Sequence, residues 1–142
     1  MMISTRGKYA LRVIASLARQ DRERFVPLKE ITSAEEISQK YLESIMSTLS
    51  KAGLVEGAHG KGGGYRLARD PADYRIGEIL RLTEGSLAPV SCVDETNVPC
   101  PRAYRCSALP VWKRLDLLIN DFLDGITLSD LIENDAGSDY VI

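Results

Sequence analysis

Hydrophobic residues near the start of the chain recur at the spacing of one helix face, which predicts an amphipathic first helix with basic residues between the apolar ones. A charged turn over residues 21–24 follows. Pro27 then stands where a second helix commonly begins, and this short helix is predicted to end near Glu35 and Glu36. The apolar face of the first helix consists of Ala10, Leu11, Ile14, Leu17 and Ala18.

A third helix is predicted between Ser38, a suitable N-cap residue, and Gly53, which is placed to end it. Its outer face is polar. Two short helices joined by a tight turn are typical of a helix-turn-helix. The apolar face of this third helix consists of Leu42, Ile45, Met46 and Leu49.

A glycine-rich hairpin is predicted directly after the third helix. Leu54 and Val55 begin a strand, the stretch GAHGKGGG cannot hold a helix, and residues 65–68 form the returning strand. A two-helix unit followed at once by a basic hairpin is the layout of a winged helix.

The second half of the chain alternates short helices with a long irregular segment. A helix carrying Ile76, Ile79, Leu80 and Leu82 ends at Gly85, and the proline-containing segment 87–108 is a poor candidate for regular structure. Thr127 and Asp130 predict a capped last helix around residue 131, and the tail 136–142 is expected to fray. Before that cap, a helix after Pro110 carries a wide apolar stripe of Val111, Leu115, Leu118, Ile119, Phe122 and Leu123, which needs a partner surface.

These elements predict a mainly α fold with a small β-wing: a winged helix-turn-helix followed by a long C-terminal helix. The length of 142 residues, with 44% hydrophobic and 27% charged residues, suits one compact core. Because the sequence holds neither a run of 18 apolar residues nor a cleavage signal at its start, we expect a cytoplasmic protein with no membrane partner.

The charge is unevenly distributed along the chain, although its net value is only −2. Residues 1–70 carry twelve Lys and Arg against eight Asp and Glu, whereas residues 71–142 carry six against twelve. A basic first half suits contact with phosphate, and a solvated charged surface would produce the same pattern.

The polar face of the third helix supplies the candidate DNA contacts, because the second helix of a helix-turn-helix lies in the major groove. There Gln39 can pair with adenine, Glu43 can accept from cytosine, and Lys40 can reach guanine or a phosphate. A merely solvated helix face is the alternative. The candidate set is Ser38, Gln39, Lys40, Tyr41, Glu43, Ser44 and Ser47, with the wing residues His59, Lys61, Gly62 and Gly63.

Three cysteines lie within 15 residues, at Cys92, Cys100 and Cys106. Their separations fit the paired ligands of structural zinc less well than the thiolate ligation of an iron–sulfur cluster. The alternatives are three thiols without a metal, or a reversible disulfide between Cys100 and Cys106. With one histidine and no catalytic set, we expect no enzyme.

The chain resembles the IscR, NsrR and CymR type of regulator, the Rrf2 family, along nearly its whole length. The resemblance lies in ISTRGKYALRVIASLA, LKEI, ISQKYLESIMSTLSKAGLV, GKGGGYRLAR, IGEILRLTEG, LAPVSC, LPVW and DFLDGITLSDLI. It implies a homodimer on a palindromic operator, with the helix from Val111 to Asp124 packing against its counterpart. In members with three cysteines, it implies a two-iron or four-iron cluster.

The sequence departs from that pattern at the cysteines. The first gap is longer than is usual in cluster-binding members. Ser107 and its neighbours follow the third cysteine where a histidine is expected, and Lys8 and Arg12 occupy the helix that can supply an acidic ligand. Asp94, Glu95 or an external thiol could complete the shell, but the spacing of the residues indicates none of them.

Residues 1–85 are accordingly expected to form the DNA-binding domain, residues 86–108 a sensory loop, and residues 109–142 the dimerisation helix and tail. The predicted function is a dimeric regulator, and a repressor by resemblance, that senses cluster status, nitric oxide or redox state. A thiol switch on the same DNA-binding protein is the first alternative. A winged-helix module that binds only other proteins is the second.

Overall fold

A computed structural model describes residues 2–133, so the tail that was expected to fray lies outside the described part. It has mainly helical architecture with one two-stranded antiparallel sheet, which confirms the predicted fold class. Three single-turn 3-10 helices lie at Pro71–Asp73, Ser91–Val93 and Ala103–Arg105. The main elements are α1 (Thr5–Ala18), α2 (Leu28–Glu35), α3 (Gln39–Lys51), β1 (Val55–Ala58), β2 (Gly64–Leu67), α4 (Ile76–Glu84), α5 (Leu109–Asp124) and α6 (Leu128–Glu133).

The turn between α2 and α3 forms where the sequence predicts it. Glu36 ends α2 in the left-handed conformation, with φ of 53°. The Ser38 hydroxyl then accepts a hydrogen bond from the Tyr41 N–H and caps α3. The predicted apolar face of α3 is fully buried, so the helix presents its polar side outward.

The hairpin pairs β1 with β2 from Val55 opposite Leu67 to Ala58 opposite Gly64. The strands therefore reach further into the glycine-rich stretch than predicted, since Ala58 and Gly64 belong to the ladder. A further bridge joins Val26 to Tyr65, with N···O distances of 2.7 and 2.9 Å, and fixes the wing to the segment before α2.

Gly64 makes that bridge possible, and Gly64→Ala is expected to destabilise the fold by about 3 kcal/mol. A Cβ there would overlap the backbone carbonyl of Val26, and φ at Gly64 is +149°. Gly62→Ala is the matched control, since φ is +81° but nothing lies within 4 Å, and it should cost only about 1 kcal/mol. Urea unfolding of both variants measures the difference, and equal losses would contradict this explanation.

The core runs through all the main elements, and its largest fully buried side chain is Tyr74. The Tyr74 hydroxyl donates to the Leu54 carbonyl and accepts from the N–H groups of Ala68 and Arg69, which ties the wing to the α4 side of the molecule. Burial raises the pKa of Tyr74. Residues after α5 also enter the core, where Leu128 is fully buried.

Two polar contacts fix the C-terminal helices. Arg81 of α4 forms a bidentate ion pair with Asp124 of α5, at 2.9 and 2.7 Å, and also donates to Asn120. The hydrogen bond to Asp124 raises the pKa of Arg81. Thr127 and Asp130 form the predicted reciprocal cap at the start of α6.

The side chains of the apolar stripe of α5 lie in two different environments. Ile119 and Leu123 pack against the core. The remaining side chains face outward, and Val111, Leu118 and Phe122 are each 55–58% exposed. No helix within residues 2–133 is long and apolar enough to cross a membrane.

Candidate DNA-binding surface and cysteine loop

The outer face of α3 displays most of the residues predicted to contact DNA. Tyr41 differs from the rest, because it is half-buried and meets Tyr9 of α1 edge-on, with ring centroids 5.8 Å apart. Its ring therefore helps to hold α3 against α1. The exposed members are Ser38, Gln39, Lys40, Glu43, Ser44 and Ser47.

Gln39 and Glu43 are joined on this face, since the Gln39 amide donates to the Glu43 carboxylate at 3.1 Å. The two residues are one helical turn apart, so their side chains lie next to each other and present an amide beside a carboxylate. Lys40 forms no ion pair with any residue in the described range. Its ammonium group is thus available to an anion.

Arg6 of α1 also reaches this face, although it lies 38 residues before Ser44 and no local pattern predicts the contact. Its guanidinium donates to the Ser44 hydroxyl at 3.0 Å, the Ser44 carbonyl at 3.2 Å and the Thr48 hydroxyl at 2.6 Å. Ser44, which we predicted to contact DNA directly, is therefore also the point at which α1 holds α3.

The wing tip places His59, Lys61 and Gly62 in solvent, and Gly63 is partly buried. Gly60 and Gly62 take positive φ values of 84° and 81°, which suit glycine and produce the tight tip.

Arg66 also belongs to the wing, and it lies further down the hairpin, in β2. It pairs with Glu56 across the strands at 3.1 Å and lies over the Phe25 ring. Its charge is therefore compensated within the protein.

The wing lies beside the end of α3. Ser50 of α3 and residues 57–60 of the wing line one open cavity of about 420 Å³, together with the start of α2. The polar face of α3 and the basic tip thus belong to neighbouring parts of the surface.

The cysteine loop carries three unpaired thiols, none of which is buried. Cys92 and Cys100 line the same open cavity of about 390 Å³, whereas Cys106 lies outside it. Within residues 2–133, no three His, Cys, Asp or Glu side chains are gathered closely enough to hold a metal ion. Cysteine thiolates are suitable ligands for an iron–sulfur cluster. Two of the three predicted ligands share a cavity, and the third would have to approach them.

Neither acidic candidate for a fourth ligand is placed against all three thiols. Asp94 and Glu95 line a second cavity with Cys92, beside α5. Hydrogen bonds from the Thr96 hydroxyl and N–H hold the pKa of Asp94 below its ordinary value.

The cysteine loop lies against the helix that carries the exposed apolar stripe. Val93 and Asp94 of the loop line a cavity of about 300 Å³ together with Arg81 of α4 and Asn120 of α5. The loop therefore adjoins the ion pair that joins α4 to α5.

Known proteins match nearly the whole chain. Residues 3–134 match the family described as Rrf2, iron-dependent transcriptional regulator. The HTH-type transcriptional regulator IscR of Vibrio campbellii is 34% identical over 134 residues, which cover 94% of this chain and 79% of that protein.

Solved structures of transcriptional regulators are also similar to this chain. CymR, the global cysteine regulator of B. subtilis, is 35% identical with a TM-score of 0.76 and covers 94% of this chain and 97% of its own. The oxidised form of Staphylococcus aureus CymR is 32% identical with a TM-score of 0.74, and covers 100% and 99% of the two chains.

Proposed function

The chain belongs to the Rrf2 family of transcriptional regulators, and from that premise we propose that it acts in the cytoplasm as a homodimer that binds a palindromic operator and represses transcription. The observation that carries this proposal is the exposed polar face of α3 beside a wing whose tip holds Lys61 and His59. A helix of this kind fits the major groove, and a glycine-rich tip lets the backbone approach phosphates closely.

Dimerisation is supported by the outward face of α5. Several large apolar side chains on one stripe remain more than half exposed in the single chain, which is the pattern of a surface that another molecule covers. A second copy would cover the stripe with an identical one and place two recognition helices in register with successive major grooves, about 34 Å apart.

Direct contacts with bases are assigned to the start of α3. Gln39 is suited to adenine and Glu43 to the amino group of cytosine, while Lys40 is suited to guanine or a phosphate. The hydrogen bond between Gln39 and Glu43 restricts both side chains before DNA arrives, so less conformational entropy is lost on binding.

Glu43→Ala is expected to relax the base preference at one position in each half-site, by about 1–3 kcal/mol of discrimination. Competition gel shifts with operator duplexes that carry each base at that position would measure it. Ser50→Ala is the control, because Ser50 is exposed on the same helix but lies outside the proposed contact set. Ser50→Ala should keep the base preference of the unaltered protein. If Glu43→Ala discriminated between the bases as well as Ser50→Ala, the assignment of Glu43 would be wrong.

We propose further that Cys92, Cys100 and Cys106 hold an iron–sulfur cluster, of the two-iron or four-iron type, through which the protein senses cluster supply, nitric oxide or redox state. When bound, such a cluster would supply redox chemistry and reactivity toward nitric oxide that the protein's own side chains lack. The thiols are accessible, and Cys92 and Cys100 already share a cavity. Drawing in Cys106 would move residues next to α5 and so affect the junction between Arg81 and Asp124.

A thiol switch is the second candidate, and it is favoured by the likeness to S. aureus CymR, a protein whose structure was determined in an oxidised form. Cys100 and Cys106 would form a disulfide on oxidation, with peroxide as the oxidant and two water molecules as products. All three cysteines are free thiols that are at least partly exposed, so the oxidant would meet little steric obstruction.

A further inference from the structure

Arg6 stands out because it crosses from α1 to the recognition helix. Its three hydrogen bonds reach Ser44 and Thr48, which lie one turn apart on α3. A guanidinium with this many partners is held in one place, although it lies at the surface. The orientation of α3 therefore depends in part on a residue outside the helix-turn-helix.

The charge of Arg6 has only neutral partners in the part of the chain that the structure describes. Within residues 2–133 it forms no ion pair, and each of its hydrogen-bond acceptors is a neutral oxygen. It also lies in the first turn of α1, which contains no acidic residue, and there the helix dipole disfavours a cation. A positive charge kept at an unfavourable position indicates a role with an external anion.

The hydrogen-bond geometry leaves donors for that anion. A guanidinium has five N–H groups, and Nη2 uses both of its own while Nη1 uses one. The Nε–H and one Nη1–H are not used in these contacts. They lie on opposite edges of the guanidinium, so each can donate a separate charge-assisted hydrogen bond to a phosphate oxygen.

We propose that Arg6 is part of the operator-binding surface: it positions α3 through Ser44 and Thr48 and donates its remaining N–H groups to a DNA backbone phosphate next to Ser44. The inference rests on the proposed operator binding. It assigns to α1 a contact that the recognition helix and the wing do not supply. Each half-site of a dimer would gain one such phosphate contact.

The salt dependence of operator affinity tests this assignment. Each neutralised phosphate contributes about 0.9 to the slope of log K against log salt, so Arg6→Gln should reduce the slope of a dimer by about 1.8. The affinity ratio of the unaltered protein to Arg6→Gln should then fall about tenfold between ~50 and ~200 mM salt. Arg6→Lys keeps the charge but loses the planar guanidinium that reaches Ser44 and Thr48 together, so it should bind more weakly with a nearly unchanged slope.

Arg19→Gln is the matched control, since Arg19 is the C-cap residue at the far end of α1, about 20 Å from Arg6, and its substitution should leave the slope unchanged. Circular dichroism of each variant shows whether the fold is retained. A folded Arg6→Gln with the slope of the unaltered protein would overturn the assignment of Arg6 and leave operator binding intact. Failure of the unaltered protein to bind any duplex at low salt would instead contradict the proposed function, and this inference with it.

Discussion

Leu118→Glu is expected to convert the dimer into a monomer and to lower operator affinity by about 100-fold or more. Leu118 is 55% exposed in the single chain and lies in the middle of the outward stripe of α5, beside Leu115 and Phe122. Two-fold symmetry would bring two copies of the substituted position near one another, so two unpaired carboxylates would enter an apolar interface. Each protomer would then bind a half-site alone and lose an avidity of about 10²–10⁴.

Light scattering after size-exclusion chromatography reports the oligomeric state, and gel shifts on one operator duplex report the affinity. Lys113→Glu provides the control, since it places the same side chain on α5 at an exposed polar position away from the stripe. A Leu118→Glu protein that stayed dimeric would show that another surface forms the dimer.

Replacing Cys92, Cys100 and Cys106 together by serine is expected to remove all iron and sulfide from anaerobically purified protein. Thiolates are the only soft ligands in the loop, and serine hydroxyls do not replace them. Because none of the three side chains is buried, the free energy of unfolding of the metal-free protein should change by no more than about 0.5 kcal/mol. The unaltered protein should be brown and the triple variant colourless.

Val98→Ser is the control for that experiment, because Val98 lies in the same loop, is 88% exposed and carries no thiol. It should retain both the iron and the colour. An iron-free unaltered protein that still changed its operator affinity on mild oxidation would contradict the cluster. A loss of two hydrogens by mass analysis, on a peptide joining Cys100 to Cys106, would then establish the thiol switch.

Features that depend on neighbouring residues were predictable from the sequence. The cap at Ser38 depends on residues within one turn, and so does the reciprocal pair of Thr127 and Asp130. The buried face of α3 follows from helical periodicity alone. The mainly helical fold with its small wing could therefore be predicted before any distance was known.

Contacts between distant segments could not be predicted in this way. Arg6 and Ser44 are 38 residues apart, and Arg81 and Asp124 are 43 apart, so only the packing of α1 on α3 and of α4 on α5 brings them together. Arg66 is an intermediate case. Its pairing with Glu56 follows from the register of the hairpin strands. The sequence did not fix that register, because the glycine-rich tip leaves the ends of the two strands uncertain by a residue or more.

The cysteine loop marks another boundary of sequence-based prediction. Its residues have no helical or strand period, so the sequence places the three thiols in one segment without giving their separations. The structure shows Cys92 and Cys100 around one cavity and Cys106 outside it. The predicted stripe on α5 was similarly divided by packing, because Ile119 and Leu123 turn toward the core.

Operator recognition by a homodimer can be tested by selecting duplexes from a random pool with the purified full chain. We expect enrichment of a palindrome whose half-sites are centred about one helical turn apart, or a multiple of it, bound by two protomers. Glu43→Ala should relax one position in each half. Failure to enrich any palindrome, even at low salt where backbone contacts are strongest, would contradict operator recognition by a homodimer.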